Sequence, residues 1–118
     1  MTEMPSIDTL HLERSTMGDP LLMDEVLDLF CDYIASFRDR LDAEASDEAW
    51  YDVMHALKGS ARGVGAFGLA RACEEGEKLV GEDPEKTASR SYKLKLITGL
   101  IEEAIAEAQQ LRSTNASG

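Results

Sequence analysis

Trp50, Val53, Met54, Leu57, Ala61 and Val64 recur at spacings of three and four residues, a pattern that restricts this stretch to a helix with one buried face. With roughly 100° of rotation per residue and Trp50 as origin, the other five fall within about 60° of it. A strand would scatter the same residues over both faces of a sheet. On the same wheel Lys58 lies at about 80°, Arg62 at about 120°, His55 at about 140° and Gly59 at about 180°. The apolar stripe turns inward and His55 turns outward.

The rest of the chain repeats the helical pattern. Asp19-Pro20 supplies an N-cap followed by proline at the first helical position, and Leu22, Val26, Leu29, Phe30, Tyr33, Phe37 and Leu41 continue at helical spacing, predicting one long helix. Ser46, with Asp47 and Glu48 in a first turn that favours negative charge, starts the His55 helix, and Gly63 and Gly65 mark its end. A third helix is expected from near Ala66 through Leu69, Cys73, Leu79 and Val80, closing at Gly81. Asp83-Pro84 opens a fourth, in which Leu94, Ile97, Ile101, Ala104, Ala108 and Leu111 form a three-four seam. Ile7 and Leu10 are assigned to a short helical segment closing one end. Short linkers require antiparallel neighbours, so the expected fold is all-α: an up-down four-helix bundle with a short N-terminal addition. The 118 residues suffice for a single domain, 1–118, with a small polar tail, about 113–118, expected to fray.

Charge narrows the partners. A net charge of −11 argues against nucleic acid and anionic membranes, both of which need a basic face. Between Val53 and Cys73, however, stand Lys58, Arg62 and Arg71 and no acid, so that window carries +3 and the remainder −14. Three bases in such a window also arise by chance. Cys31 and Cys73 lie in apolar helical contexts and read as buried free thiols. With His11 and His55 they lack zinc-ligand spacing, so no metal site is expected. Met1 to Pro5 has no basic region leading into an apolar core, and no apolar run approaches the roughly 20 residues of a membrane span. A cytoplasmic location is expected.

An exposed imidazole can carry a proton, bind a metal or accept a phosphoryl group. Residues three and four apart are helical neighbours, which places Lys58 and Gly59 on one side of His55 and Asp52 and Tyr51 on the other. Glycine inside a helix costs about 0.5–1 kcal/mol relative to alanine, and missing bulk beside the ring is one reason to carry it. Taken singly, an exposed histidine is usually plain surface, a helical glycine merely tolerated and a lysine simply solvated. Phe67 fits either a docking contact or the core.

Taken together, the run His55-Ala56-Leu57-Lys58-Gly59-Ser60-Ala61-Arg62-Gly63-Val64-Gly65, continuing through Ala66, Leu69 and Cys73 to Glu77, resembles the histidine-containing phosphotransfer (HPt) domain and its H-x-L-K-G-S/A-S/A-x-x-x-G-A core. The looser likeness extends to Gly18-Asp19-Pro20 and the helix that follows, and so covers most of the chain. One departure is Gly76, where the family usually has a bulky apolar residue before the glutamate. The resemblance implies a relay that takes a phosphoryl group from one receiver aspartate and passes it to another. It makes His55 the phosphoacceptor, Lys58 the phosphate-steadying cation and Gly59 the clearance position, with Arg62 as a further phosphate-stabilising or docking residue. Partners implied are response-regulator receiver domains and a hybrid histidine kinase. The chain itself is expected to need no cofactor, since magnesium would sit on the receiver.

Autonomous kinase activity is not expected. The glycines at 59, 63, 65 and 68 follow a helix and no strand, so they do not form a nucleotide-binding loop, and the chain is too short for an ATP-binding domain. A monomer is expected. The rival readings are a helical-bundle adaptor that binds a signalling partner without carrying phosphate, and a homodimer formed along the seam of the last helix.

Overall fold

The computed structural model describes residues 6–117, with side chains described through Arg112. Among the described residues five α-helices follow in order: α1 (Thr9–Ser15), α2 (Pro20–Ala35), α3 (Asp47–Val64), α4 (Phe67–Glu77) and α5 (Lys86–Ser117). Among the described residues there is no strand. The four longer helices form the bundle, α3 lying between α2 and α4 while α5 packs on α2 and α4. The expected tail of about 113–118 falls where side chains lie outside the described residues.

Local chemistry accounts for the helix starts. Asp19 accepts from the Leu21 and Leu22 N–H groups ahead of Pro20, and Ser46 accepts from Ala49 N–H. At the far end of α3, Gly65 adopts φ +85°, and a Cβ there would lie 2.9 Å from the Asp8 carbonyl oxygen. That close approach is used: Asp8 N–H donates to Gly65 O at 2.9 Å, and Asp8 then caps α1. The Glu107 carboxylate on α5 accepts from the backbone N–H groups of Ser6 and Ile7. The N-terminal addition therefore closes the bundle end, with Ile7 and Leu12 fully buried.

Three helix boundaries differ from expectation, the slightest being the last helix, which begins at Lys86 after a turn at Pro84 and Glu85 rather than at Asp83-Pro84. The helix starting at Pro20 ends at Ala35 rather than running to Leu41, and a 3₁₀ turn, Arg38–Arg40, follows. Phe37 N–H bonds back to Ile34 O, tightening the last turn and carrying the Phe37 ring into the core, where it meets Tyr33 edge-on. The third helix stops at Glu77, short of Gly81, because Lys78 and Leu79 close it with three-residue bonds to Glu75 O and Gly76 O. The seam of the last helix is the core itself: Ile97, Ile101, Ala104 and Ala108 are buried, with Leu94 and Leu111 packed against them. That seam is consumed within the chain, which removes the basis for a homodimer built on it.

Gly76 finds its reason in packing. A Cβ on Gly76 would sit 2.6 Å from Met54 Sδ, and the Gly76 carbonyl accepts from Trp50 Nε1 at 2.7 Å. The volume that a bulky residue on α4 would fill is supplied from α3 by Met54.

Candidate functional site

The expected inward stripe of α3 is buried residue for residue: Trp50, Val53, Met54, Leu57, Ala61 and Val64. His55 consequently faces out, its side chain 60% exposed. It does not stand alone. Glu77, in the last turn of α4, accepts from His55 Nδ1 at 2.8 Å through Oε2 and from Lys58 Nζ at 2.8 Å through Oε1. One carboxylate thus holds the histidine and the lysine in a fixed relation.

The protonation pattern follows. Burial pushes the Glu77 carboxyl up, but the hydrogen bonds from Lys58 and His55 and their charges outweigh it and hold the group below the ordinary glutamate range. Ionised, Glu77 can only accept, which selects the tautomer with the proton on Nδ1 and leaves Nε2 as the nitrogen that bears the lone pair in a neutral imidazole. Nε2 is the ring nitrogen directed away from Glu77.

Lys58 does not project freely beside the ring as a solvated cation. Its side chain is 14% exposed and its ammonium is tied to Glu77. Two of its three N–H donors remain for another oxygen. Arg62 pairs with Glu74 at 2.6 Å, both side chains about half exposed. The window that is basic along the sequence is therefore not a basic face, because α4 brings Glu74 and Glu77 against two of its three cations. A Cβ on Gly59 would meet nothing within 4 Å, so the surface of α3 one turn after His55 is open. Tyr51, one turn before His55, lays its ring on the imidazole with centroids 5.5 Å apart and planes 12° from parallel. Phe67, 44% exposed, meets His11 edge-on at 5.2 Å.

Glu77 and Tyr51 are the site members whose roles sequence reasoning missed. The signal for Glu77 was weak but physical. Glu75 and Glu77 occupy the last turn of α4, where the helix dipole disfavours negative charge and no base offsets it, so each needs a partner from another helix. Lys93 of α5 supplies the one for Glu75.

Acid sensitivity follows from these pairs. Asp47 is held below the usual aspartate range chiefly by the Gly81 N–H and then by Lys86, and Glu75 chiefly by its hydrogen bond from Lys93. A carboxyl whose folded pKa is depressed stabilises the fold above its unfolded value of about 4 and loses that contribution as pH falls through the folded value. The melting temperature is expected to hold from neutral pH down to about 5 and to fall below about 4. A Glu77→Gln variant followed by thermal denaturation across pH should show a shallower acid decline. By contrast the Cys73 thiol, pushed up to about 12 by burial and then by Glu77, is inert at neutral pH.

No helix among the described residues is long and apolar enough to cross a membrane, and no group of three or more metal-ligating side chains occurs among them. A family model described as the Hpt domain matches residues 22–114. A crystal structure of the histidine phosphotransferase ShpA from Caulobacter crescentus resembles the chain with a TM-score of 0.58 and 35% identity, covering 92% of this chain and 98% of that one. Among curated proteins there is no match. With the family model spanning most of its length and a solved histidine phosphotransferase sharing its helical architecture, the chain belongs to the Hpt domain family.

Proposed function

We propose that this chain relays phosphoryl groups between receiver-domain aspartates, with His55 Nε2 as the atom that carries them. The observation that supports this most is the division of the imidazole: Nδ1 is committed to Glu77 while Nε2 stands on a 60% exposed side chain with a lone pair. In phosphoryl transfer the protein supplies mainly position and charge. Here the acid cluster and magnesium belong to the receiver, and this chain supplies an aimed nucleophile.

Lys58 keeps its bond to Glu77 and offers a remaining N–H to a phosphoryl oxygen, a charge-assisted contact. Arg62 is assigned to docking, where a receiver carboxylate competes with Glu74 for its guanidinium. Gly59 keeps the approach clear. Among the described residues nothing lies within 4 Å of where its Cβ would stand, so the fold itself does not exclude a side chain there and the glycine is assigned to the receiver's approach. Gly59→Ala is accordingly expected to stabilise the isolated chain by about 0.5–1 kcal/mol while slowing transfer. Chemical denaturation and a transfer time course on the same preparation measure both, and a destabilised variant would contradict the clearance role.

The direct test incubates the chain with a phosphorylated receiver and magnesium. An acid-labile, base-stable phosphoryl group on the chain is the expected result. A chain that binds the receiver yet acquires no such group is an adaptor, and the relay reading fails.

A further inference from the structure

We infer that Tyr51 is a positioning residue for the phosphorylated histidine, its ring face stabilising the charge that the imidazole acquires when Nε2 bonds phosphorus. This rests on the relay reading above and adds a residue to it.

Two contacts fix the ring. The bond from Nδ1 to Glu77 lies in the imidazole plane and locates one nitrogen. The Tyr51 stack, 5.5 Å between centroids and 12° from parallel, sets the plane itself. Both come from the fold: Tyr51 precedes His55 by one helical turn on the polar side of α3, and Glu77 reaches across from α4. With position and plane both set, the Nε2 lone pair has one direction.

The transfer step shows why the face matters. The Nε2 lone pair forms the N–P bond as the P–O bond of the aspartyl phosphate breaks, and that electron pair leaves on the aspartate carboxylate. Nδ1 keeps its proton, so no proton departs and the ring becomes an imidazolium bearing the phosphoryl group. A neutral ring stacked on a phenol gains little from the aromatic quadrupole. A cationic ring within about 6 Å of the centroid gains about 0.5–1 kcal/mol at an exposed site. Tyr51 is 43% exposed, which puts it in that class. Because the attraction grows on going from free to phosphorylated His55, it shifts the phosphoryl equilibrium toward this chain.

The measurement is the equilibrium ratio of phosphoryl group on His55 to that on a receiver, at saturating receiver with magnesium, for wild type, Tyr51→Phe, Tyr51→Leu and Tyr51→Trp. Phe keeps the ring face and should match wild type. Leu, apolar but smaller and without a π-face, should lower the ratio about two- to fivefold, and Trp should raise it. A contact that only docks the receiver would change the receiver concentration for half-maximal rate and leave the ratio alone. Equal ratios for Leu and wild type, or a Phe variant that behaves like Leu, overturn the inference. Should Leu fail to fold, a Trp ratio no higher than that of Phe overturns it instead. Absence of phosphoryl transfer to the wild-type chain sinks the relay reading and this inference with it, whereas normal transfer with an unmoved ratio sinks only the inference.

Discussion

His55→Gln is expected to accept no phosphoryl group from a receiver while melting within a degree or two of the wild type. The first half follows from chemistry: glutamine offers an amide whose nitrogen lone pair is delocalised, so no nucleophile stands where Nε2 stood. The second half follows from position. The His55 side chain is 60% exposed and the core stripe runs along the opposite face of α3, so the substitution opens no cavity. The glutamine amide can still donate to Glu77, leaving that carboxylate and Lys58 in place. Surface changes of this kind stay within about 0.5 kcal/mol. His11→Gln is the matched control. His11 meets Phe67 edge-on on a different element, and its loss should leave uptake intact. Autoradiography of both variants after incubation with a phosphorylated receiver, with calorimetry alongside, checks the pair of expectations. Uptake by His55→Gln would move the phosphoacceptor elsewhere.

How much of this was legible in the sequence depends on range. The wheel through Trp50 predicts which side chains of α3 are buried and that His55 faces outward, because helical periodicity is a local property. Asp19 and Ser46 mark their helix starts for the same reason. What escaped was whatever a second element contributes. The end of α2 at Ala35 depends on Phe37 finding the core, a tertiary demand that overrides a helical pattern continuing to Leu41. The basic window around Lys58 is real along the chain and cancelled in space, since Glu74 and Glu77 arrive from α4. Glu77 lies 22 residues from His55, a separation with no periodic meaning until α3 and α4 are placed side by side.

Arg90→Ala is expected to destabilise the chain by about 3 kcal/mol or more, the largest stability effect of any single exposed-looking charge in the sequence. Arg90 sits in the first turns of α5 yet is 1% exposed. Its Nε donates to Leu79 O at 2.8 Å, its Nη1 to Ala45 O at 2.7 Å and to Ala43 O at 3.2 Å, and its Nη2 to Asp47 Oδ1 at 2.7 Å. The guanidinium also lies 4.6 Å over the Trp50 ring. One side chain therefore ties the loop before α3 to the loop after α4 and packs on the residue that starts the core stripe of α3. Truncation strands three carbonyls, each costing about 1–3 kcal/mol where water cannot replace the donor, and leaves a void beneath Trp50. Lysine should not rescue it. A single ammonium cannot span acceptors laid out for a planar fork, and it lacks the flat face that stacks on indole. Urea titration should show Arg90→Ala and Arg90→Lys both with lowered midpoints, Ala the lower. The His55 site lies more than a helical turn from Trp50 on α3, so folded Arg90→Lys should still take up phosphate, separating the residue that holds the bundle end together from those proposed to carry the chemistry.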